Sequence, residues 1–293
     1  MQPTEAYQNL RQELTHLYEP REASTIADMV IESITGLSKS ERLIQVQQIL
    51  NEDQINRFEE MKEDLKHGRP VQYVIGYTWF CDLKFDVDER VLIPRPETEE
   101  LVHHAIEIIE KESKNNKPPY RVLDIGTGSG CIAVCIKKKI AAAEVMAMDI
   151  SKDALNLAEQ NAIQNQVKIE FIQKNILEHI QVDGLPWFDF IISNPPYIPP
   201  SDKNSMEKHV LNFEPHAALF TTEQNPLEFY QAIVKFSEFH LTRGGHLAFE
   251  THIAYAEEIA EWIKQFEYEE VEIKKDLHGN NRMVFARKSG SSL

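Results

Sequence analysis

The sequence of 293 residues has few cysteines: Cys81, Cys131 and Cys135 are all that it contains. An odd and sparse set of this kind provides no disulfide framework. Cys131 and Cys135 lie four positions apart in an apolar run with no further ligand residues clustered nearby. We therefore interpret them as small buried side chains rather than as a metal pair, and we expect no metal site.

Long apolar runs are also missing. Residues 1–30 hold no continuous apolar stretch of the kind that forms a signal peptide, and no run approaches the roughly 20 apolar residues of a membrane span. We find no internal repeat and no low-complexity segment. These absences predict a globular protein of the cytoplasm that has no membrane partner.

Positive charge is scarce, with 31 Lys and Arg residues against 47 Asp and Glu residues and a formal net charge of −16. Non-specific binding of nucleic acid depends on Lys and Arg side chains that face phosphates. The balance disfavours nucleic acid as a direct partner, although a local basic patch stays possible. It favours a protein or a small molecule as the partner.

The N-terminal residues 1–68 have a helical pattern, and we predict a small helical bundle there. Pro20 and Gly36 separate the helices, and Ser38 or Ser40 is suited to cap the third one. The apolar positions recur at spacings of three and four, as helix faces require: Leu10, Leu14 and Leu17; Ile26, Met29, Val30 and Ile34; Leu43, Val46 and Ile49; Phe58, Met61 and Leu65.

Residues 69–96 change character and predict a β-hairpin that connects the bundle to a second domain, residues 97–293. The segment is rich in aromatic and β-branched residues, and its apolar positions alternate in part. Helical periodicity returns after Thr98, and we predict a polar loop over residues 111–119. The alternating positions are Trp79, Phe80, Leu83, Phe85 and Val87.

From Arg121 onward, strand patterns alternate with helix patterns. This order predicts an α/β fold with a mostly parallel sheet covered by helices on both faces. The last two strands are close in sequence, so we expect an antiparallel pair at one edge. The predicted strands are 121–125, 144–149, 168–172, 188–193, 246–250, 270–275 and 282–287, and the predicted helices are 130–139, 151–164, 226–240 and 253–266.

The first candidate site is the segment VLDIGTGSG, residues 122–130, in which a strand leads through three alternating glycines into a helix. Glycines allow a tight turn and a close approach of the backbone to a ligand. The spacing differs from the dinucleotide fingerprint, and Asp124 before the loop suits a ligand with an amino-acid end better than a pyrophosphate. The alternative is a glycine-rich turn that serves close packing only.

The second candidate is Asp149, which ends the next strand about 20 residues after the glycine loop. A carboxylate at this position can accept hydrogen bonds from both hydroxyl groups of a ribose. The alternative is that Asp149 caps the following helix, but Ser151 is better suited to that task. The two elements together predict a nucleoside cofactor.

The third candidate is the segment Asn194-Pro195-Pro196-Tyr197 at the end of a later strand. Ligands in open α/β sheets bind beyond the carboxyl ends of the strands. The Asn194 side chain offers a carbonyl acceptor, and prolines add carbonyls without N–H groups. Such a rigid corner suits a planar NH₂ group, and Tyr197 offers a flat face beside it. The alternative is a stiff turn.

Together these motifs resemble the class I S-adenosylmethionine-dependent methyltransferases that act on amino or amide nitrogens. The resemblance is closest to the bacterial peptide-chain release factor glutamine methyltransferases, and it covers roughly residues 70–287 plus a helical N-terminal domain of the right size. It is carried by the segments PVQYVIGYTWF, VLIPRPETEELV, VLDIGTGSGCIA, DALNLAEQNA, IISNPPYIP, FEPHAAL and DLHGNNRMVFAR.

The resemblance implies a Rossmann-like methyltransferase sheet, S-adenosylmethionine as cofactor, and the glutamine of the Gly-Gly-Gln motif of class 1 release factors as substrate. It implies that the N-terminal helices help to dock the release factor, and we expect a monomer. Asn194 and the Pro195 carbonyl would accept from the glutamine amide, beside Pro196 and Tyr197. The cofactor would be held by Gly126, Thr127, Gly128, Ser129, Gly130, Asp149, Asn175 and Asn194.

The sequence departs from the family pattern at two places. Asn175 stands where the family usually has an acid near the adenine, and Thr251 follows Glu250 where relatives tend to have a glycine. We expect His252 to be structural or solvated rather than a base.

Three other functions are compatible with parts of the pattern. A glutamine methyltransferase acting on a ribosomal protein shares the same motifs. An adenine methyltransferase on nucleic acid would need a basic face, against which the net charge argues. A non-catalytic binding module would tolerate loss of the glycines or of Asn194, and both are present.

Overall fold

The computed structural model describes residues 1–44, 48–113, 119–178 and 181–290. The chain divides into two compact units. The first unit contains Met1–Tyr77 together with Glu207–Phe213, and the second contains Thr78–Met206 together with Glu214–Leu293. Among the residues that the structure describes, no helix combines the length and the apolar character needed to span a membrane.

The first unit is helical, as predicted. Pro20 occupies the first turn of its second helix, and Gly36 ends that helix with a φ of 69°. Both residues therefore mark helix ends, as the sequence predicted. Its core is formed by residues such as Leu10, Val30 and Phe58, which are fully buried. The helices are α1 (Pro3–Leu14), α2 (Pro20–Thr35), α3 (Lys39–Ile44), α4 (Glu52–Lys66) and α5 (Val71–Ile75).

Two details of the first unit differ from the prediction. Ser38 caps α3, because its Oγ accepts from the Glu41 amide at 3.4 Å, but the predicted apolar face of this helix is wrong. Leu43 is 68% exposed, and Ile49 lies beyond the helix and is 70% exposed, while Val46 lies outside the described residues. Leu17 likewise follows the end of α1 and is exposed.

The predicted hairpin is shorter than the segment assigned to it. Residues 71–75 form α5, which Gly76 ends with a φ of 85°, because Val71 and Ile75 share one face and are buried in the helical core. The hairpin itself consists of β1 (Tyr77–Phe80) and β2 (Leu83–Asp86). Cys81 and Asp82 join the strands with φ values of 48° and 62°, as two-residue hairpin turns require.

A seven-stranded sheet forms the centre of the second unit, and the predicted strands are confirmed. The order is β5-β4-β3-β6-β7-β9-β8, with parallel pairs up to β7 and antiparallel pairs for β7–β9 and β9–β8. The strands are β3 (Arg121–Ile125), β4 (Glu144–Asp149), β5 (Glu170–Gln173), β6 (Phe188–Ser193), β7 (Leu241–Glu250), β8 (Tyr268–Lys275) and β9 (Asn281–Lys288).

Helices cover both faces of this sheet because successive side chains of the strands point to opposite sides. Val122 and Ile192 pack in one apolar cluster with α6 and α7, and Leu123 and Ile191 pack in the other with α11 and α12. The helices are α6 (Pro96–Ser113), α7 (Cys131–Lys139), α8 (Lys152–Gln164), α11 (Glu228–His240) and α12 (Ala256–Ile263).

The segment between β6 and α11 contains short helices that were not predicted from the sequence. They are a 3₁₀ helix over Pro200–Ser205, α9 (Lys208–Phe213), which belongs to the first unit, and α10 (His216–Leu219). The predicted polar loop at 111–119 begins later than expected, because α6 continues to Ser113. Residues 114–118 of that loop lie outside the described residues.

Candidate active site

Four neighbouring strands end side by side at one edge of the sheet. Ile125 of β3 pairs with Met148 of β4 on one side and with Ser193 of β6 on the other, and Ser193 pairs in turn with Phe249 of β7. The next residue of each chain segment therefore lies at the same carboxyl edge, where open α/β sheets bind ligands. These residues are Gly126, Asp149, Asn194 and Glu250.

The glycine loop that follows β3 adopts a backbone that only glycine accommodates without strain. Gly126, Gly128 and Gly130 have φ values of 73°, 54° and 81°. A Cβ on Gly126 or Gly128 would meet no atom within 4 Å, whereas one on Gly130 would lie 3.0 Å from the Ala158 Cβ. Gly130 thus serves packing, and the other two glycines face open space.

Buried hydrogen bonds hold the two residues that lie between the glycines of this loop. The Thr127 hydroxyl donates to Asp124 Oδ2 at 2.6 Å, and the Ser129 carbonyl accepts from Asn161 Nδ2 at 2.9 Å. Burial raises the pKa of Asp124 to about 7, and the Thr127 hydrogen bond opposes that shift. The Thr127 side chain and the Ser129 backbone carbonyl are therefore each held by a buried hydrogen bond.

Asp149 lies beside the glycine loop and helps to shape it. Its Oδ2 accepts from the Gly128 amide and its Oδ1 from the Ser151 amide, both at 2.9 Å. Burial raises the pKa of the Asp149 carboxyl, while these backbone hydrogen bonds lower it. Ser151 caps α8 through its Oγ, which accepts from the Ala154 amide at 3.1 Å, so the cap of α8 does not depend on Asp149.

Asn175 lies just beyond β5, the strand next to β4, and its amide is engaged in a local turn. Nδ2 donates to Glu178 Oε1 at 2.9 Å, and Oδ1 accepts from the Leu177 amide at 3.1 Å.

The corner after β6 is fastened on both sides. Before it, the Ser193 hydroxyl donates to the Ile125 carbonyl at 2.6 Å. After it, Ile198 forms a parallel bridge with Phe220, in which the Ile198 amide donates to the Leu219 carbonyl at 3.0 Å. Asn194, Pro196 and Tyr197 are partly exposed and Pro195 is buried. The corner is rigid because its ends are anchored and its two prolines fix φ.

A buried carboxylate connects the two ends of the corner. Asn194 Nδ2 lies 3.0 Å from Thr98 Oγ1, and Thr98 Oγ1 lies 2.6 Å from Glu250 Oε2. The Tyr197 hydroxyl donates to Glu250 Oε1 at 3.2 Å. Thr98 and Glu250 are 2% and 1% exposed, and no role was predicted for either from the sequence.

The residues after Glu250 pack into the fold. The Thr251 amide donates to the Arg282 carbonyl at 2.8 Å, and within the described residues the buried Thr251 Oγ1 has no hydrogen-bond partner. The His252 ring lies near the rings of Tyr197 and Tyr255, at 6.1 and 5.4 Å between centroids. Burial lowers the pKa of His252, which favours its neutral form.

An ion pair joins the IPRPETE and FEPHAAL segments. The Arg95 guanidinium donates to Glu214 Oε1 at 2.5 Å, and Glu214 Oε2 accepts from the Ile93 amide at 3.3 Å. The Glu214 side chain is fully buried, while that of Arg95 is 31% exposed. Both motifs are visible in the sequence, but this pairing was not predicted from them.

Sequence comparison agrees with this geometry. The family described as "Methyltransferase small domain" matches residues 106–220, and the "PrmC N-terminal domain" matches residues 5–76. The chain is 37% identical to the release factor glutamine methyltransferase of Flavobacterium psychrophilum over 93% of this chain and 94% of that protein. The enzyme of the same name from Bacillus subtilis is 34% identical over 96% of each chain.

Among solved structures, the hMettl16 catalytic domain in complex with MAT2A 3'UTR hairpin 1 has a TM-score of 0.54. It is 16% identical and covers 83% of this chain and 82% of its own, so the likeness concerns the fold alone. The sheet order and the matching family define a Rossmann-like methyltransferase. With relatives above 30% identity along nearly its whole length, the chain belongs to the release factor glutamine methyltransferases.

The residues at the sheet edge fit S-adenosylmethionine, the cofactor of this class. Gly126 and Gly128 line open space that a Cβ would fill, as a cradle for an amino-acid end requires. The Asp149 carboxylate accepts from the Gly128 and Ser151 amides, and its two oxygens have about four lone-pair sites in all, so it can also accept from a ribose hydroxyl. Among the described residues, no three His, Cys, Asp or Glu side chains are grouped so that they would hold a metal ion.

Proposed function

We propose that the protein transfers a methyl group from S-adenosylmethionine to the side-chain amide nitrogen of the glutamine in the Gly-Gly-Gln motif of class 1 release factors. The observation that carries this proposal is the rigid Asn194–Tyr197 corner beside the glycine loop, with Asn194 Nδ2 hydrogen bonded to Thr98. Because its NH₂ group is engaged there, the Asn194 carbonyl is left to accept from a substrate. The names of the relatives support release factors as the substrate class.

The proposed cofactor site uses the residues at the ends of β3, β4 and β5. When bound, S-adenosylmethionine supplies an activated methyl group on a positively charged sulfonium. The backbone of residues 126–130, with Gly126, Thr127, Gly128, Ser129 and Gly130, would hold its methionine end. Asp149 would accept from the ribose hydroxyls, Asn175 would lie towards the adenine, and Asn194 would border the cofactor where it meets the substrate.

Asn194 and Pro195 would act on the substrate amide. An amide nitrogen is a poor nucleophile because its lone pair is delocalised into the carbonyl. Two fixed acceptors, Asn194 Oδ1 and the Pro195 carbonyl, would bind its two hydrogens and favour a pyramidal nitrogen with a more available lone pair. Preorganised acceptors and orientation of this kind can each contribute several kcal/mol to the rate.

The remaining residues of the corner would position the glutamine. Tyr197 would present its ring to the planar amide, with its hydroxyl held by Glu250. Pro196 would keep the acceptors stationary, since its ring fixes φ and restricts the residue before it. His252 has no part in the proposed chemistry, in line with its lowered pKa and its packing between aromatic rings.

We extend the proposal to the rest of the chain. Residues 1–68 would dock the release factor, residues 69–96 would connect them to the catalytic domain, and residues 97–293 would carry out the transfer. The enzyme would act in the cytoplasm as a monomer without direct contact with nucleic acid. The net charge of −16 supports the last point.

A tandem mass spectrum of a digested release factor tests the function. Release factor is incubated with S-adenosylmethionine with and without the protein, and we expect one added methyl group on the side chain of the Gly-Gly-Gln glutamine only when both are present. A release factor with Asn in place of that glutamine serves as the control and should stay unmodified. Methylation of a ribosomal protein or of adenine in its place would overturn the proposal.

A further inference from the structure

The buried hydrogen bonds behind the corner have a defined direction. Thr98 Oγ1 lies 2.6 Å from Glu250 Oε2 and 3.0 Å from Asn194 Nδ2. An ionised carboxylate only accepts hydrogen bonds, and a threonine hydroxyl has one proton to donate. That proton therefore goes to Glu250, and the Thr98 oxygen can only accept from its other neighbour.

This direction determines which end of the Asn194 amide faces Thr98. The NH₂ end has hydrogens to donate to the Thr98 oxygen, whereas the carbonyl end would meet lone pairs and repel them. The oxygen and nitrogen of an amide have nearly the same shape, so only such a network distinguishes the two orientations. With Nδ2 on Thr98, Oδ1 points away from the buried network.

We propose that Thr98 and Glu250 are positioning residues that hold the Asn194 amide with its carbonyl oxygen towards the substrate. The inference rests on the proposed function, in which Asn194 Oδ1 accepts from the glutamine amide. A flipped Asn194 would present a donor to a substrate group that also donates, and the two would not bind. One buried hydroxyl thus decides whether the site is an acceptor or a donor.

The surroundings of Glu250 keep this carboxylate in place. Its Oε1 accepts from the Tyr197 hydroxyl at 3.2 Å, so both ends of the corner depend on the same group. Its backbone carbonyl accepts from the buried Tyr230 hydroxyl at 3.1 Å. Burial raises the pKa of Glu250, whereas the Thr98 hydrogen bond and the positive charge of Arg282 act to lower it.

Thr98→Val and Thr98→Ser separate the hydroxyl from the shape of the side chain. Valine keeps the shape and removes the proton, and serine keeps the hydroxyl. In single-turnover methylation of a release factor at saturating cofactor, we expect Thr98→Val to slow transfer about tenfold or more, since loss of one preorganised partner typically costs ~10²–10³ in rate. Thr98→Ser should stay within about threefold, and cofactor affinity should be unchanged in both.

A double-mutant cycle with Asn194→Asp distinguishes orientation from general support. An aspartate has two acceptor oxygens and needs no orientation, so Thr98→Val should cost far less in the Asn194→Asp enzyme than in the wild type. Equal costs in both backgrounds would overturn the inference, as would a Thr98→Val enzyme with the wild-type rate. Should the Asn194→Asp enzyme be too slow to measure, the contrast between Thr98→Val and Thr98→Ser decides alone.

The outcomes keep the two proposals apart. A wild-type enzyme that leaves release factor unmethylated contradicts the proposed function, and the inference fails with it. An active wild-type enzyme with an equally active Thr98→Val variant contradicts the positioning role alone. If Thr98→Val unfolds at the assay temperature, Thr98→Ala provides a second variant without the hydroxyl, and the same loss of rate is expected.

Discussion

The amide of Gly128 donates a 2.9 Å hydrogen bond to Oδ2 of Asp149, and this bond joins the glycine loop after β3 to the end of β4. The other carboxylate oxygen accepts from the Ser151 amide at the same distance. One side chain thus shapes the loop and still offers lone pairs to a ligand. This bond holds together two elements that are 21 residues apart in sequence, at the edge of the sheet where we propose that the cofactor binds.

Replacement of Asp149 by alanine should weaken S-adenosylmethionine binding. Hydrogen bonds to charged groups contribute roughly 1.5–3 kcal/mol, so we expect a loss of about that size in isothermal titration calorimetry. Ser151→Ala is the matched control, because it removes the α8 cap and leaves the carboxylate. It should reduce stability by roughly 1 kcal/mol with little effect on affinity. Unchanged affinity in Asp149→Ala would remove this residue from the site.

Gly126→Ala should impair cofactor binding by more than the backbone strain of the alanine alone would cause. An alanine at a φ of 73° costs roughly 1–2 kcal/mol in stability, and its Cβ would occupy the open space beside the loop. Gly184 has a φ of 86° and also faces open space, but it precedes the amino end of β6, and the candidate site lies at the carboxyl end of that strand. Gly184→Ala should show a similar loss of melting temperature with unchanged cofactor affinity. Equal affinities in the two variants would show that the loop does not contact the cofactor.

Arg95→Ala should destabilise the fold because it leaves the buried Glu214 carboxylate without its cation. We expect a loss of about 1.5–3 kcal/mol in urea unfolding. This is below the roughly 3–5 kcal/mol that removing one partner of a fully buried pair costs, because Arg95 is partly exposed. In a double-mutant cycle, Glu214→Gln should cost less in the Arg95→Ala enzyme than in the wild type. Strictly additive losses would mean that the two segments are not coupled through this pair.

Asp124 should make stability depend on pH. Its pKa is raised to about 7 in the folded protein, against roughly 3.9 in an unfolded chain. Between these values the folded state binds more protons, so this contribution to stability is present at low pH and is lost as the pH rises through 7. Asp124→Asn removes the titration and keeps an acceptor for Thr127.

The measurement for Asp124 is the difference in free energy of unfolding between the wild type and Asp124→Asn from pH 5 to pH 8. The wild type should lose stability relative to the variant as the pH rises. Comparison with the variant removes the contributions of Asp149 and Glu250, whose pKa values are raised in the same direction. A constant difference would show that Asp124 does not titrate in this range.

The sheet could be predicted from the sequence because its strands carry strong local patterns. Residues 121–125, 144–149 and 188–193 match the observed strands, since each is a short apolar run bounded by loops. Parallel pairing then brings Gly126, Asp149 and Asn194 to one edge without further information. The glycine loop and the corner after β6 were predictable for the same reason.

The features that could not be predicted from the sequence depend on tertiary contacts. Thr98 and Glu250 are 152 residues apart, and no spacing rule connects them. Ile49 belongs to an apolar pattern but is 70% exposed and lies in none of the described helices. Strand β7 begins at Leu241, whereas the sequence predicted a start at residue 246. The observed strand accommodates Gly244, which has a φ of 75°.

The central claim is that Asn194 acts on the substrate amide, and the single-turnover rate of Asn194→Ala tests it most directly. Release factor methylation is measured at saturating S-adenosylmethionine, with melting temperature and cofactor affinity as controls. Loss of one preorganised acceptor should slow transfer by ~10²–10³ while the fold and the affinity change little. A variant that transfers methyl within about threefold of the wild-type rate, below the tenfold that 1.4 kcal/mol represents, would show that the corner is only a turn.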